Sequence, residues 1–218
     1  LRTPLTVLKG QNELILSKKR DPEEYQEVIA SNLEEINYMS KVLEDLFVLS
    51  RSDENQILLN CKHMDLRDLV EEVCKHAEVL AGDKDIRIII AFLESVMING
   101  DEVRLRQMIW NILHNGIKYT KPGGELKVSL QNEGKFALLS IQDTGIGIPE
   151  KDLPSIFDRF YRVDKARSRD EGGSGLGLSI CQHIAEAHKG KIEVESKPSV
   201  GTRFKIRIPS ITPGSNGQ

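Results

Sequence analysis

Polar residues at helical spacing near the middle of the chain form a first group suited to binding phosphate and a divalent cation. Asn111 and Asn115 are four residues apart near the end of a predicted helix, and Lys118 follows within one turn. Residues at this spacing project from one helical face. An amide oxygen can ligate magnesium, and a lysine meets phosphate as a point charge. An amphipathic helix with two surface or capping asparagines explains the same spacing, so this segment alone leaves both interpretations open.

A carboxylate and two glycines follow a predicted strand. Asp143 stands at the end of the strand, and Gly145 and Gly147 come next, before Ile148. Glycine lets the backbone approach a ligand closely, and a carboxylate fixes that ligand by a hydrogen bond. The alternative is a loop in which the glycines only satisfy turn dihedrals.

Aromatic and charged residues then lead into a glycine-rich turn. The segment 156–162 opens a charged stretch, residues 158–174, in which nine of seventeen side chains are charged and five of those are basic. A mobile lid over anionic phosphates and an ordinary solvated loop both have this composition. At its far end Gly173, Gly175 and Gly177 mark the predicted start of a helix. Backbone N–H groups at a helix start form an anion site.

Composition limits the classes of function. The chain has 218 residues, of which 39% are hydrophobic and 29% charged, which is typical of a globular chain with a core. Its net charge of −3 and its 5% of aromatic residues argue against a nucleic-acid-binding surface. Its three cysteines fit neither a disulfide framework nor a zinc site.

The first fifty residues predict two helices that pack together. Leucine, isoleucine and asparagine recur at spacings of three and four in both, with Asn12 in the first seam and Asn32 in the second. The second helix is predicted over Pro22–Ser50, where Pro22 occupies the first helical position and acids follow it. Two helices cannot close a core alone, so the pattern favours half of a dimeric four-helix bundle. A helical subdomain lying on its neighbour is the alternative.

The rest of the chain predicts an α+β sandwich with helices on one face of a sheet. Alternating or apolar runs predict strands at Ile57–Cys61, Ile86–Phe92, Glu125–Leu130, Phe136–Gln142, Lys191–Glu195 and Thr202–Ile208. Helical patterns predict helices at Leu66–Ala81, Glu102–Lys118 and Gly175–His188.

In their order and spacing, the four segments resemble the N, G1, F and G2 boxes of the bacterial sensor histidine kinases. The lead-in Gly100–Gln107 is similar to the usual approach to the N box. The opening Leu1-Arg2-Thr3-Pro4-Leu5-Thr6 resembles the remainder of the H box. The resemblance therefore covers essentially the whole chain, from a dimerisation hairpin to an ATP-binding domain of the Bergerat type.

The resemblance implies a site for ATP and magnesium between the lid and the sheet. Asp143 would accept a hydrogen bond from the adenine amino group, and Gly145 and Gly147 would let adenine and ribose pack closely. Asn115 would hold Mg²⁺, with Asn111 nearby. The other implied residues are Lys118 and Arg162, which would neutralise phosphate charge, Tyr119, which would flank the nucleotide or pack in the core, and the box positions Ile148, Gly173, Gly175, Leu176, Gly177 and Leu178.

The implied reaction is transfer of the γ-phosphoryl group to a histidine of the hairpin and then to an aspartate on the receiver domain of a response regulator. The acceptor histidine would lie two positions before Leu1, so we expect this chain to bind ATP–magnesium without phosphorylating itself. Thr3 takes the position associated with dephosphorylating the regulator, and an ordinary helical residue is the equal alternative.

These expectations divide the chain into a hairpin at residues 1–52, a catalytic ATP-binding domain at 53–210 and a flexible tail at 211–218. They imply a cytoplasmic homodimer that makes no direct contact with membrane or nucleic acid, whether or not an outside segment anchors the parent protein in the inner membrane. A scaffold of the same fold that dimerises without turning over ATP is the alternative. Serine-directed anti-sigma-type kinases and gyrase-like ATPases share the ATPase fold, but the hairpin and the Leu-Arg-Thr-Pro-Leu opening argue against them.

Overall fold

The N-terminal part of the molecule is a helical hairpin. The computed structural model describes residues 2–53, 59–163 and 174–211. Helix α1 spans Arg2–Leu16 and helix α2 spans Pro22–Asp53, so the second helix is slightly longer than its sequence pattern predicts. Among the described residues, no helix is both long and apolar enough to cross a membrane. The predicted helical region followed by an α/β domain is confirmed.

The hairpin buries only one of its apolar faces. Ile15 on α1 and Val42 on α2 are 8% exposed, and Tyr38, Val42 and Leu46 of α2 pack against the core of the following domain. A second set of large apolar side chains remains exposed, namely Leu5, Val7, Leu14, Leu16, Ile29, Leu33, Ile36 and Leu43. About half of the described residues that recur at spacings of three and four in the two helices are therefore exposed and are not packed between α1 and α2.

A five-stranded mixed sheet forms the centre of the second domain. Its strands are β2 (Arg87–Leu93), β4 (Glu125–Asn132), β5 (Phe136–Asp143), β6 (Lys191–Lys197) and β7 (Gly201–Pro209). Their spatial order is β2-β4-β5-β7-β6, in which β2 and β4 are parallel and the other neighbours are antiparallel. All five correspond to predicted strands. Buried and more exposed side chains alternate along β4 and β7, which gives these two the clearest sequence pattern.

A separate two-stranded ladder corrects the sequence prediction. The strand predicted at Ile57–Cys61 is wrong at residues 59–61, which are not in a strand, and its first two residues lie outside the described part. Strand β1 instead spans Lys62–Asp65 and pairs with an unpredicted strand β3 at Met97–Gly100. Each of these strands is only four residues long, and β1 is mostly polar. Neither therefore shows the alternation of apolar and polar residues by which a strand is predicted from sequence.

Three helices cover one face of the large sheet and close the core. They are α3 (Leu66–Gly82), α4 (Glu102–Tyr119) and α5 (Gly177–Ala187), and a short 3₁₀ helix spans Glu150–Ser155. Asp65 caps α3 by accepting from the Arg67 amide, and Asp101 caps α4 by accepting from the Arg104 amide. The other face of the sheet is polar and carries ion pairs, such as Lys205 with Glu195 and Arg207 with both Glu133 and Glu193.

A buried histidine joins the end of α5 to the start of α4. His188 is 6% exposed, and its Nε2 accepts a hydrogen bond of 3.0 Å from the Asp101 backbone N–H. Its Nδ1 lies 2.7 Å from the carbonyl oxygen of Ile184, to which it donates. Burial lowers the pKa of His188 from its ordinary value. Since Nε2 must remain an acceptor, the neutral ring is the form that this packing holds.

Candidate functional site

Asp143 lies at the end of β5, where its carboxylate is fixed by the protein's own backbone. The residue is 8% exposed, and its Oδ1 accepts hydrogen bonds from the Gly145 N–H at 2.8 Å and the Thr202 N–H at 3.1 Å. Burial raises the pKa of Asp143, while these two donors act in the opposite direction. Both donors bind Oδ1, so Oδ2 remains available within the described part of the chain to accept a hydrogen bond from a ligand.

The glycines beside Asp143 are required by close approach of backbone to backbone. A Cβ on Gly145 would lie 2.6 Å from the Tyr119 carbonyl oxygen, and one on Gly147 would lie 2.1 Å from that of Lys197. Gly147 also has φ of +69°, a conformation that other residues rarely adopt. Gly201 approaches the Asp143 carbonyl carbon and oxygen in the same way. The fold itself therefore needs glycine at these positions, before any nucleotide is considered.

The C-terminal half of α4 brings the predicted N-box residues to the same end of the sheet. The Tyr119 carbonyl accepts from the Ile146 N–H at 3.1 Å, which joins the end of α4 to the glycine turn. Lys118 Nζ lies 5.2 Å from the centre of the Tyr119 ring, and that ring is 40% exposed. Asn115 is half-buried on the same helix. A lysine, an amide and an exposed aromatic ring thus lie near the buried carboxylate.

Asn111 connects α4 with the start of α5. Its Nδ2 donates to the Gly177 carbonyl oxygen at 3.4 Å, and a Cβ on Gly177 would make only ordinary contacts with the Asn111 amide. Gly177 is the first residue of α5, whose opening N–H groups have no preceding helical turn to bind. Asn111 and Gly177 are 66 residues apart in the sequence, so this hydrogen bond brings the N box and the G2 box together at the start of α5.

The other G2 positions divide between core and turn. Leu176 is fully buried and Leu178 packs partly against the core, so their backbone groups are the parts that could face a ligand. Gly175 has φ of +71°, and its carbonyl accepts from the Phe160 N–H at 2.9 Å. Gly173 lies outside the described residues.

The F-box segment is held to the domain by a tyrosine. The Tyr161 hydroxyl donates to Asp152 Oδ1 at 2.7 Å, and this hydrogen bond raises the pKa of the tyrosine. Asp152 is 8% exposed. Arg162 follows directly and is half-buried, and residues 164–173 of the charged stretch lie outside the described part of the chain. Thr3 belongs to α1, and its side chain also lies outside the described part.

Two residues that support the site have no signal in the sequence. Ser196 Oγ accepts from the Ile148 N–H at 2.8 Å and lies 2.9 Å from the hydroxyl of Thr202. Thr202 in turn fixes Asp143 through its backbone N–H. Ser196 and Thr202 occur in ordinary strand patterns, and only the pairing of β6 with β7 brings them beside the glycine turn.

Comparison with known proteins assigns the chain to a family. Residues 100–212 match the family described as "Histidine kinase-, DNA gyrase B-, and HSP90-like ATPase", and residues 1–55 match the "His Kinase A (phospho-acceptor) domain". The chain belongs to the sensor histidine kinases. Residues 100–212 contain Asp143, the glycine turn and the start of α5. This part of the chain is therefore the ATP-binding domain of the family.

Relatives by sequence are sensor kinases. The sensor histidine kinase CusS of Escherichia coli O157:H7 is 38% identical over 96% of this chain and 43% of its own length. The signal transduction histidine-protein kinase ArlS of Staphylococcus epidermidis is 35% identical over 96% of this chain and 46% of its own length. The chain thus spans less than half the length of these curated relatives.

Solved structures agree over nearly the whole chain. The histidine kinase AdeS of Acinetobacter baumannii superposes with a TM-score of 0.78 at 28% identity and covers 97% of both chains. Full-length ShkA, solved in complex with AMPPNP, superposes with a TM-score of 0.75 at 26% identity over 97% of this chain and 44% of that one. These matches confirm the helical hairpin followed by the ATP-binding domain.

Proposed function

We propose that this chain is a kinase core that binds ATP with Mg²⁺ and transfers the γ-phosphoryl group to a histidine, from which it passes to an aspartate of a response-regulator receiver domain. The single observation that carries the proposal is the buried Asp143, whose Oδ1 is held by two backbone donors while Oδ2 remains available. A buried acceptor fixed in this way suits the exocyclic amine of adenine, because a ligand donor would compensate for the desolvated carboxylate.

The residues around Asp143 have the chemistry that a triphosphate needs. Lys118 supplies a cation, and the start of α5 supplies backbone donors for phosphate oxygens. Among the described residues there is no group of three or more His, Cys, Asp or Glu side chains that could hold a metal ion. We expect Mg²⁺ to be held by the Asn115 amide oxygen together with phosphate oxygens of the nucleotide, since Asn115 takes the N-box position of the family and an amide oxygen can ligate magnesium. The ion would neutralise phosphate charge, and Lys118 and Arg162 would stabilise charge on the transferred group.

The exposed apolar residues of the hairpin support a homodimer. Ile29, Leu33, Ile36 and Leu43 lie on one side of α2 and are between 41% and 58% exposed. A second copy would cover this stripe and complete a four-helix bundle. The name of one solved assembly, ThkA in complex with the response regulator TrrA, supports a receiver domain as the second partner. The division at residue 52, the tail from residue 211 and the role of Thr3 remain part of this proposal.

Replacement of Asp143 tests the nucleotide site. An asparagine keeps the Oδ1 acceptor for the Gly145 and Thr202 N–H groups but replaces Oδ2 with an amide NH₂ group. The fold should therefore persist, while the adenine amino group loses its acceptor. We expect the Kd for ATP–magnesium, measured by calorimetry on the 218-residue chain, to rise by about ten- to a hundredfold in Asp143→Asn.

Asp101→Asn is the matched control. Asp101 is also 8% exposed, and it accepts from the Arg104 and Asn60 backbone N–H groups at the start of α4, away from the glycine turn. Asparagine keeps the cap to Arg104 and loses only the bond to Asn60, so the control is a buried Asp→Asn change outside the proposed site. Equal affinities of Asp143→Asn and Asp101→Asn would contradict the proposed site. A wild-type chain that fails to bind ATP or ADP at millimolar concentration would favour the non-catalytic scaffold.

A further inference from the structure

A layer of polar side chains crosses the middle of the hairpin. Asn32 Nδ2 on α2 donates to Asn12 Oδ1 on α1 at 3.2 Å, and Asn12 Nδ2 donates to the Leu8 carbonyl at 2.7 Å. Beside this pair, Gln11 Nε2 donates to the Ser31 hydroxyl at 3.4 Å. The layer thus interrupts the apolar seam between the two helices with side-chain amides.

The hydrogen bonding of this layer is incomplete in a single chain. Asn32 Oδ1 and Gln11 Oε1 are shielded from solvent and accept no hydrogen bond from any described residue. The side-chain amide nitrogen of each asparagine carries two N–H groups. Asn12 and Asn32 each use one of them in the two bonds above. A shielded acceptor and spare donors therefore lie in the same layer. Since an N–H group that is buried without an acceptor is costly, a surface that covers the exposed Asn12 must supply a polar partner at this height.

The amide pair also adjoins the exposed apolar stripe. Asn12 is exposed and lies seven residues after Leu5 and four before Leu16, both of which are exposed. Asn32 lies three residues after Ile29 and four before Ile36, which are exposed as well. Residues at these spacings share one side of a helix. A second copy that covers the stripe would therefore desolvate the Asn12 amide and lie next to Asn32.

We propose that Asn12 and Asn32 form a buried polar layer with the same two residues of a second copy, and that this layer selects a like partner and fixes its alignment. The proposal rests on the dimer of the proposed function. In an aligned pair, the exposed Asn12 amide of one chain meets the Asn12 amide of the other, so that their spare N–H groups and oxygens pair across the seam while Asn32 holds Asn12 from within its own hairpin. A partner with apolar side chains at this height, or one that is shifted along the seam, leaves amides unpaired in the core.

Exchange of subunits tests the selection. Wild-type chain and a mass-tagged Asn12→Leu/Asn32→Leu chain are mixed, equilibrated and counted as homodimers and heterodimers by native mass spectrometry. We expect heterodimers to be about tenfold rarer than random exchange gives, the factor that corresponds to about 1.4 kcal/mol for a polar group left unpaired. The control is Ile36→Leu, which changes the same stripe without a polar atom and should mix with wild type at random.

Circular dichroism establishes that the double-leucine chain is folded. Its homodimer should melt no lower than wild type, because apolar residues replace incompletely bonded amides. If the double variant does not dimerise, Asn12→Leu alone takes its place in the exchange. Random heterodimers would overturn the polar layer while leaving the dimer intact. A wild-type chain that remains monomeric at every concentration would overturn both the layer and the dimer, whereas ATP binding would be judged separately on Asp143.

Discussion

The hairpin and the ATP-binding domain differ in how completely each buries its own apolar surface. In the ATP-binding domain, large side chains such as Leu105, Leu113 and Leu130 have no exposed surface. In the hairpin, Leu14, Leu16 and Ile29 are between 58% and 77% exposed. The domain therefore has a closed core that positions its side chains closely, whereas the hairpin leaves large apolar side chains exposed that the proposed second copy would cover.

The largest contrast should appear at the glycine turn. In Gly147→Ala the new Cβ would lie 2.1 Å from the Lys197 carbonyl oxygen on a backbone with φ of +69°. Left-handed strain and overpacking together should lower the free energy of unfolding of the domain by about 4 kcal/mol. The single tryptophan, Trp110, lies in α4, so urea unfolding followed by its fluorescence reports on this domain. An unchanged urea midpoint would contradict the close backbone approach.

A truncated core leucine should have the next largest effect. Leu130 in β4 is fully buried, and Leu130→Ala should cost about 3 kcal/mol by the same fluorescence measurement, because a cavity remains where the side chain packed. The matched change Leu33→Ala in α2 removes a side chain that is 54% exposed. It should leave the Trp110 transition unchanged and weaken only the dimer. Equal costs at the two sites would remove the contrast between the regions.

A smaller, pH-dependent effect is expected at His188. The pKa of His188 is lowered in the folded chain, mainly by burial, so below its ordinary value of 6.5 the unfolded chain binds a proton that the folded chain excludes. Its contribution to stability is therefore complete above pH 6.5 and is lost as the pH falls toward the folded pKa. The urea midpoint of wild type should fall more steeply between pH 7 and pH 5 than that of His188→Gln. Parallel curves would contradict a buried neutral ring.

The smallest effect should be a gain in the hairpin. Gly10 lies inside α1, and no atom of the described residues lies within 4 Å of the Cβ that alanine would add. Since glycine is a poor helix former, Gly10→Ala should stabilise the hairpin by about 0.5–1 kcal/mol, seen as a higher melting temperature of the helical signal. A loss of stability would mean that a second copy packs against this position.

Elements whose own residue pattern carries the information can be predicted from the sequence. Strand β7 alternates buried and half-exposed side chains along its length, and α3 was predicted to within one residue of its observed end. Strands β1 and β3 were not found, because Asp65 is placed by distant groups, accepting from the Ser95 hydroxyl and the Val96 N–H. No local period records such a contact.

The site shows the same division. Asp143 and its glycines could be named as candidates from their types and order, because a carboxylate and two alternating glycines follow a predicted strand. The sequence shows that glycine occurs at these positions, but it does not show the close backbone contacts that require it. Their contacts with the backbone of Tyr119 and Lys197 arise from chain segments that lie far apart in sequence. The support from Ser196 and Thr202 depends in the same way on strand pairing, which residue types do not encode.

The charged edge of the sheet affects how the chain behaves when it is crowded. Among the residues that the structure describes, strand β6 pairs with β7 alone and is an edge strand of the sheet. Lys191, Glu193, Glu195 and Lys197 alternate along it. A flat apolar strand in this position would template the addition of another strand and lead to aggregates. The charged side chains of β6 disfavour that pairing, so they should protect this edge of the sheet against aggregation.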